Sequence, residues 1–237
     1  MIDNAWLDEL EGDGFALVPE VIGGADVARL LGALDAAEAG DGVRRRGSVY
    51  AIRNLMEVVP EVRELAASAP VRALVEPVLG RDAFPVRAIL FDKTPDANWK
   101  VTWHQDLSIA VREAGEADGF GPWSEKAGVP HVQPPASVLE RMLTVRIHLD
   151  PCGADNGPVN VLPGSHRDGR LDADAIERWR AEVAPVATCT GAGGALVMRP
   201  LLLHASSPAT VPGHRRVIHI EYAADALPGG LEWHDRP

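Results

Sequence analysis

The chain reads as a mainly β domain with flanking helices, a β-sandwich or open barrel with helices packed on one side. Three observations point there. Apolar residues recur at helical spacing through the first 80 positions, and short strand-like runs separated by turn residues fill most of the remaining chain. Residues 143–149 alternate, with Val145, Ile147 and Leu149 on one face and Thr144, Arg146 and His148 on the other. An apolar outside and a polar inside suit a barrel wall that helices cover and whose lumen binds something.

Residues 1–11 predict a short helix with Trp6, Leu7 and Leu10 on one side, and Phe15–Val18 a strand after the Gly12-Asp13-Gly14 break. Val27, Leu30, Leu31 and Leu34 give 25–38 the spacing of a helix with one buried face. Arg44-Arg45-Arg46 is expected in a solvated, glycine-bracketed loop. Residues 60–80 read as two short helices split by Pro70, with Pro77 near the end of the second. Phe84–Asp92 has strand character, Lys93-Thr94-Pro95-Asp96 reads as a turn, and Trp103–Val111 as the next strand. Eight glycines and prolines between 112 and 137 break any regular period, so this stretch is expected to be a long irregular loop and a lid. Asp155-Asn156-Gly157-Pro158 and Pro163-Gly164-Ser165-His166 are turns around the strand Val159–Leu162, and 172–182 is a short helix. Gly191-Ala192-Gly193-Gly194 precedes the strand Ala195–Met198; no helix follows it, so it is no phosphate cradle. Val217–Tyr222 is the last clear strand.

No repeat or linker divides the 237 residues, so a single domain over 1–237 is expected. With 46% hydrophobic residues but no apolar run of bilayer length, no membrane partner is expected. Met1-Ile2-Asp3-Asn4 shows no basic segment ahead of an apolar one, and two cysteines, Cys152 and Cys189, imply no disulfide framework; a cytoplasmic setting is the expectation. A formal net charge of −11 argues against a nucleic-acid partner and for a small molecule. Oligomeric state is not legible.

Trp103-His104-Gln105-Asp106 organises the chain's chemistry. If that backbone is extended, His104 and Asp106 point to one face. A third ligand has to come from elsewhere, and His204, at the end of the apolar run from Met198, is the best candidate. Two imidazoles and a carboxylate leave half an octahedron open, the ligand set of non-haem Fe(II) oxygenases.

These residues belong to a longer pattern. Phe91-Asp92-Lys93 through Trp103-His104-Gln105-Asp106, Asn156-Gly157-Pro158 through Pro163-Gly164-Ser165-His166, and His204-Ala205-Ser206 through His214-Arg215-Arg216 resemble the successive signatures of the phytanoyl-CoA dioxygenase family, over roughly Gly14 to Tyr222. The resemblance implies a double-stranded β-helix, a cupin-like jelly-roll, and an Fe(II)- and 2-oxoglutarate-dependent dioxygenase. Such an enzyme uses O2 to hydroxylate a C–H bond of a small molecule and releases succinate and CO2. It makes His104, Asp106 and His204 the iron ligands, and Arg215 and Ser206 the contacts to the distal carboxylate of 2-oxoglutarate. Gln105 also matches a motif position for the cosubstrate, although a regular strand turns it to the opposite face. Arg216 is a rival to Arg215, but alternation groups Arg215 with Val217 and His219 on the more polar face, the expected lumen side. Arg146 stands where many members have Trp. It is expected as a second cosubstrate contact or a handle for an acidic substrate, or else as a buried Arg paired with an acid. His148 and His219 are expected as core histidines. Because Asp106 is retained, the resemblance favours oxygenation over halogenation. Two alternatives stand beside this reading: a cupin-like metal enzyme that is not an oxygenase, for which Arg215 and Ser206 have no purpose, and a catalytically silent relative that binds a small molecule.

Overall fold

The structure, a computed structural model, describes residues 5–37, 43–46 and 48–235, with 43–50 described by backbone alone. Apolar residues at helical spacing build the first layer. Helix α1 (Ala5–Asp13) buries Trp6 and Leu10, strand β1 (Phe15–Val18) follows, and α2 (Gly24–Ala36) buries Val27, Leu30 and Leu34. Strands β2 (Val43–Arg46) and β3 (Ser48–Ile52) lead to α3 (Leu55–Val58), α4 (Pro60–Ala67) and α5 (Ala69–Leu79). Prolines open α4 and α5, where a missing N–H costs nothing, so Pro70 starts a helix rather than breaking one.

The remaining elements are strands with two helices between them. They are β4 (Phe84–Lys93), β5 (Val101–His104), β6 (Ile109–Ala110), β7 (Trp123–Lys126), β8 (Val129–Val132), α6 (Ala136–Leu139), β9 (Met142–His148) and β10 (Val159–Val161). After α7 (Ala173–Glu182), whose first turn is capped by the Asp172 carboxylate, come β11 (Val186–Ala187), β12 (Ala195–Met198), β13 (His204–Ser206) and β14 (Arg215–Ala223). Antiparallel pairing gives a seven-stranded sheet in the order β1-β12-β9-β14-β4-β3-β2, a four-stranded sheet β11-β10-β13-β5, and a small sheet β6-β8-β7. The first two form the jelly-roll, and a cavity lies between them. The outer face of the large sheet, with Val145, Ile147, Val197, Ile218 and Ile220, packs under the helices against Leu30, Leu55, Leu65 and Leu74. Each such side chain contributes about 1.5–3 kcal/mol by leaving water. Among the described residues no helix is long and apolar enough to cross a membrane, and both cysteines are free.

Four local expectations need correcting. Arg44-Arg45-Arg46 is not a loop: its backbone is the edge strand β2, paired with β3, while the bracketing Gly42 and Gly47 lie outside the described residues. Lys93 ends β4, buried, and the turn begins one residue later, closed by the Thr94–Ala97 bridge. The expected strand Trp103–Val111 is two strands, β5 and β6; the backbone leaves the sheet after His104, and the Asp106 N–H donates instead to Pro200 O at 2.9 Å. Residues 112–137 are not irregular throughout. Ala127 and Gly128, both at positive φ (54° and 75°), make a two-residue turn joining β7 and β8.

Candidate metal centre and cosubstrate pocket

Antiparallel pairing of β13 with β5 sets His204 opposite His104, with ring centroids 4.2 Å apart. The Nδ1 atoms of His104 and His204 each lie 2.8 Å from a carbonyl two residues back, Thr102 O and Leu202 O. A carbonyl only accepts, so each Nδ1 carries the hydrogen and each Nε2 keeps its lone pair for the cavity. Asp106 completes the group, its Oδ1 3.8 Å from His104 Nε2 and its Oδ2 3.7 Å from His204 Nε2. The buried Oδ2 has no hydrogen-bond donor. Burial lowers the His204 pKa to about 4, so the ring is neutral at pH 7. Burial works to raise the Asp106 pKa, but His204, His219, His104 and Arg87 outweigh it and hold the carboxyl below its ordinary range. Two imidazole nitrogens and a carboxylate therefore converge within 4.8 Å of one another. Another group of potential ligands, Glu57, His234 and Asp235, is closed on itself: His234 meets Glu57 at 3.0 Å and Arg63 meets Asp235 at 3.3 Å.

One end of the cavity is cationic. The β14–β4 register puts Arg215 opposite Lys93, and both side chains turn inward, 3% and 1% exposed. Lys93 Nζ donates to Ser206 Oγ at 2.7 Å and to Ser207 O, Ser206 Oγ donates to Gly157 O at 3.0 Å, and Arg215 Nη1 donates to Gly157 O. Gly157 must be glycine: its φ is 72°, and a Cβ would stand 2.7 Å from Ser207 O and 2.9 Å from Lys93 Nζ. Burial, reinforced by Arg215, lowers the Lys93 pKa to about 8. Arg215 Nε is buried without an acceptor. Asp92, the acid nearest in the strand, accepts from the Arg215 backbone N–H and pairs with His214, so it acts on the Arg215 guanidinium only through space and makes no hydrogen bond to either cation's side chain. Among the described residues the two buried cations hydrogen-bond carbonyls, a hydroxyl and the Cys152 thiol but no carboxylate, which is costly unless an anion joins them. Arg216 points the other way and is satisfied bidentately by Asp150 at 2.9 and 2.8 Å.

Arg146 lines the cavity, 6% exposed, with its guanidinium 5.6 Å from the Phe91 ring centre. Among the described residues it is ion-paired with no acid. Its Nη1 donates to His219 Nδ1 at 2.8 Å, which leaves His219 Nε2 as the donor to Glu221 Oε1 at 3.1 Å; Glu221 also receives Arg87. His219, expected as a core residue, thus borders the cavity, while His148 is buried away from it with neither ring nitrogen hydrogen-bonded. Gln105 is not at the cavity. Its amide donates to Gly169 O and Leu201 O, each at 2.7 Å, and accepts from Leu171 N at 2.8 Å, so it knits three segments together instead of touching a cosubstrate. No residue of 112–137 lines the cavity either. Lys93 and Arg87 were missed in the sequence. The available signal was period two: Arg87, Ile89, Phe91 and Lys93 form the inward face of one strand.

The profile of the phytanoyl-CoA dioxygenase (PhyH) family matches residues 10–217. The chain belongs to the phytanoyl-CoA dioxygenase family. Among solved structures it is similar to AviO1 from Streptomyces viridochromogenes Tue57, with 25% identity and a TM-score of 0.69 over 96% of this chain and 98% of that one. EctD from S. alaskensis, solved with 2-oxoglutarate and 5-hydroxyectoine, shares 20% identity at a TM-score of 0.73 over 94% of this chain and 76% of its own. The epimerase SnoN, solved with Fe3+, alpha-ketoglutarate and nogalamycin RO, shares 18% identity at a TM-score of 0.68, covering 95% and 90%. No curated protein sequence matches the chain. This phytanoyl-CoA dioxygenase family member therefore carries its three convergent candidate ligands and its cationic pole on a fold similar to those structures.

Proposed function

We propose that the protein is an Fe(II)- and 2-oxoglutarate-dependent dioxygenase that hydroxylates a C–H bond of a small molecule. The observation that carries this reading is the pairing, in one cavity, of three convergent ligand atoms with a buried cationic pole that has no acid of its own. A non-oxygenase metal enzyme has use for the first and none for the second.

The donor set fits ferrous iron: two imidazole Nε2 atoms and one carboxylate, with the two Nδ1–H groups locked on backbone carbonyls. His104, Asp106 and His204 would hold the metal. Iron, 2-oxoglutarate and O2 together supply the oxidant for C–H hydroxylation, with succinate and CO2 released. Arg215 and Lys93 neutralise the far carboxylate of the cosubstrate, and the Ser206 hydroxyl sits between them to hydrogen-bond it. Because Gly157 O already anchors Arg215 and Ser206, the pole is oriented before the ligand arrives. EctD and SnoN, solved with 2-oxoglutarate or alpha-ketoglutarate, support the same assignment.

Anaerobic titration of the Fe(II)-loaded protein with 2-oxoglutarate, followed by the weak visible metal-to-ligand charge-transfer band of the chelate, tests this. The band is expected in the wild type and absent in His104→Ala. No band, together with no 2-oxoglutarate binding by calorimetry, overturns the proposal in favour of a non-oxygenase or silent relative.

A further inference from the structure

The cavity is longer than the cosubstrate. Six residues of extended strand separate Lys93 from Arg87 on the inward face of β4, about 20 Å. A five-carbon dicarboxylate spans less than half of that. The candidate metal centre stands between the two ends: Ser206, which Lys93 holds, lies two residues along β13 from His204, and on the other side Asp106 feels the charge of Arg87. With the cosubstrate's far carboxylate at Lys93 and Arg215, the Arg87 end is left for the primary substrate.

An arginine with donors to spare stands at that end as well. Arg87 meets Glu221 through Nη2, but its Nε is buried without an acceptor. The charge balance of the whole site runs the same way. Among the described residues the cavity wall carries four cations, Arg87, Lys93, Arg146 and Arg215, against the carboxylate of Asp106, with Glu221 just behind. Fe(II) and a dianionic cosubstrate cancel one another, so a loaded site still holds an excess of positive charge, in a protein whose formal net charge is −11. Burying that excess is unfavourable unless the next ligand is negative. Between the poles the wall is apolar, with Ile89, Phe91, Trp99, Val101 and Val159.

Resting on the proposed dioxygenase function, we infer that the primary substrate is itself an acid: a small molecule with an apolar body whose carboxylate is read at the far end of the cavity by Arg87. A guanidinium holding Glu221 through one nitrogen can bind a second carboxylate through the others. The apolar middle then holds the body of the substrate alongside the metal centre.

The test uses the anaerobic Fe(II) protein saturated with 2-oxoglutarate and three probes of one shape: 3-phenylpropionate, 3-phenylpropionamide and 3-phenylpropylamine. Each is titrated while the visible band is followed. The acid is expected to perturb the band at a concentration at least about tenfold below that needed for the amide, with the amine weakest. Arg87→Gln should bring acid and amide within about threefold of each other while the band itself still forms. Because Arg87→Gln also unpairs the buried Glu221, the double variant Arg87→Gln/Glu221→Gln, which removes both charges together, serves as the second variant and should narrow the ratio in the same direction. The inference is overturned if the amide or amine matches the acid, if the acid bleaches the band by displacing 2-oxoglutarate, if none of the three perturbs it, or if the preference survives in both variants. A wild type that forms no band at all overturns the proposed function first and this inference with it.

Discussion

Strand β14 has two faces that solve the same problem in opposite ways. On the outer face Arg216 closes on the Asp150 carboxylate, and Ile218, Ile220 and Tyr222, each 0% exposed, pack under the helices, with the Tyr222 hydroxyl donating to Ala66 O at 3.0 Å. Every group there finds its counterpart within the chain. On the inner face Arg215 is buried against a carbonyl with one nitrogen unanswered, and across from it Lys93 is held by a hydroxyl and a carbonyl. Residues one position apart thus serve stability and binding separately. A face whose charges are left unneutralised by the fold is set up for a charged ligand.

The sharpest way to break this comparison is to exchange the two arginines' fates. Arg215→Met should weaken 2-oxoglutarate binding by two to three orders of magnitude in calorimetry, on the order of 3–4 kcal/mol, while leaving the apo protein as stable as before or more so, because a buried unpaired charge is removed. Arg216→Met should leave 2-oxoglutarate affinity within a few-fold of wild type. Equal losses of affinity in both variants would show that the two faces are not separate. From the outer side, Ile220→Ala should cost about 2–5 kcal/mol of unfolding free energy in denaturant titrations and shift 2-oxoglutarate affinity little, the reverse of the Arg215 pattern.

The smallest effect is a pH dependence of the inner face. The Lys93 pKa is lowered from 10.5 to about 8 in the fold, so between these values the unfolded chain binds the proton more strongly than the folded one. Stability of the apo protein should therefore rise with pH from about 8 to 10.5, and this increment should vanish in Lys93→Met. Over the same range 2-oxoglutarate affinity should fall, since the neutral amine no longer attracts a carboxylate. Affinity that stays level through that range would remove Lys93 from the cosubstrate pole.

Much of this was legible in the chain. Helical spacing located α1, α2, α4 and α5, because a helix is recognised by one buried stripe. Alternation in 143–149 placed Arg146 inward, and alternation from 215 to 222 turned Arg215 inward and Arg216 outward, because neighbours on a strand cannot share a face. The signals that failed were those in which a local rule met a long-range contact. Lys93 was read with the turn after it because Thr94-Pro95-Asp96 carries turn chemistry; its place in the sheet comes from pairing with Arg215, 122 positions away, by the difference of their numbers. The β7–β8 hairpin hid among glycines and prolines, since its strands are four residues each and show no full period.

Spacing along single segments was enough for the inventory and the facing: helices over a sheet, a triad of potential ligands, and an arginine on the lumen side. How those segments meet came only from packing in three dimensions. The β13–β5 pairing brought His204 across from His104, although the strand expected to hold His104 and Asp106 together ends between them. The β14–β4 register joined Lys93 to Arg215, and contacts with three distant backbone segments drew Gln105 away from the cavity. Register between distant strands depends on the burial of whole faces at once, and no single stretch of sequence contains that information.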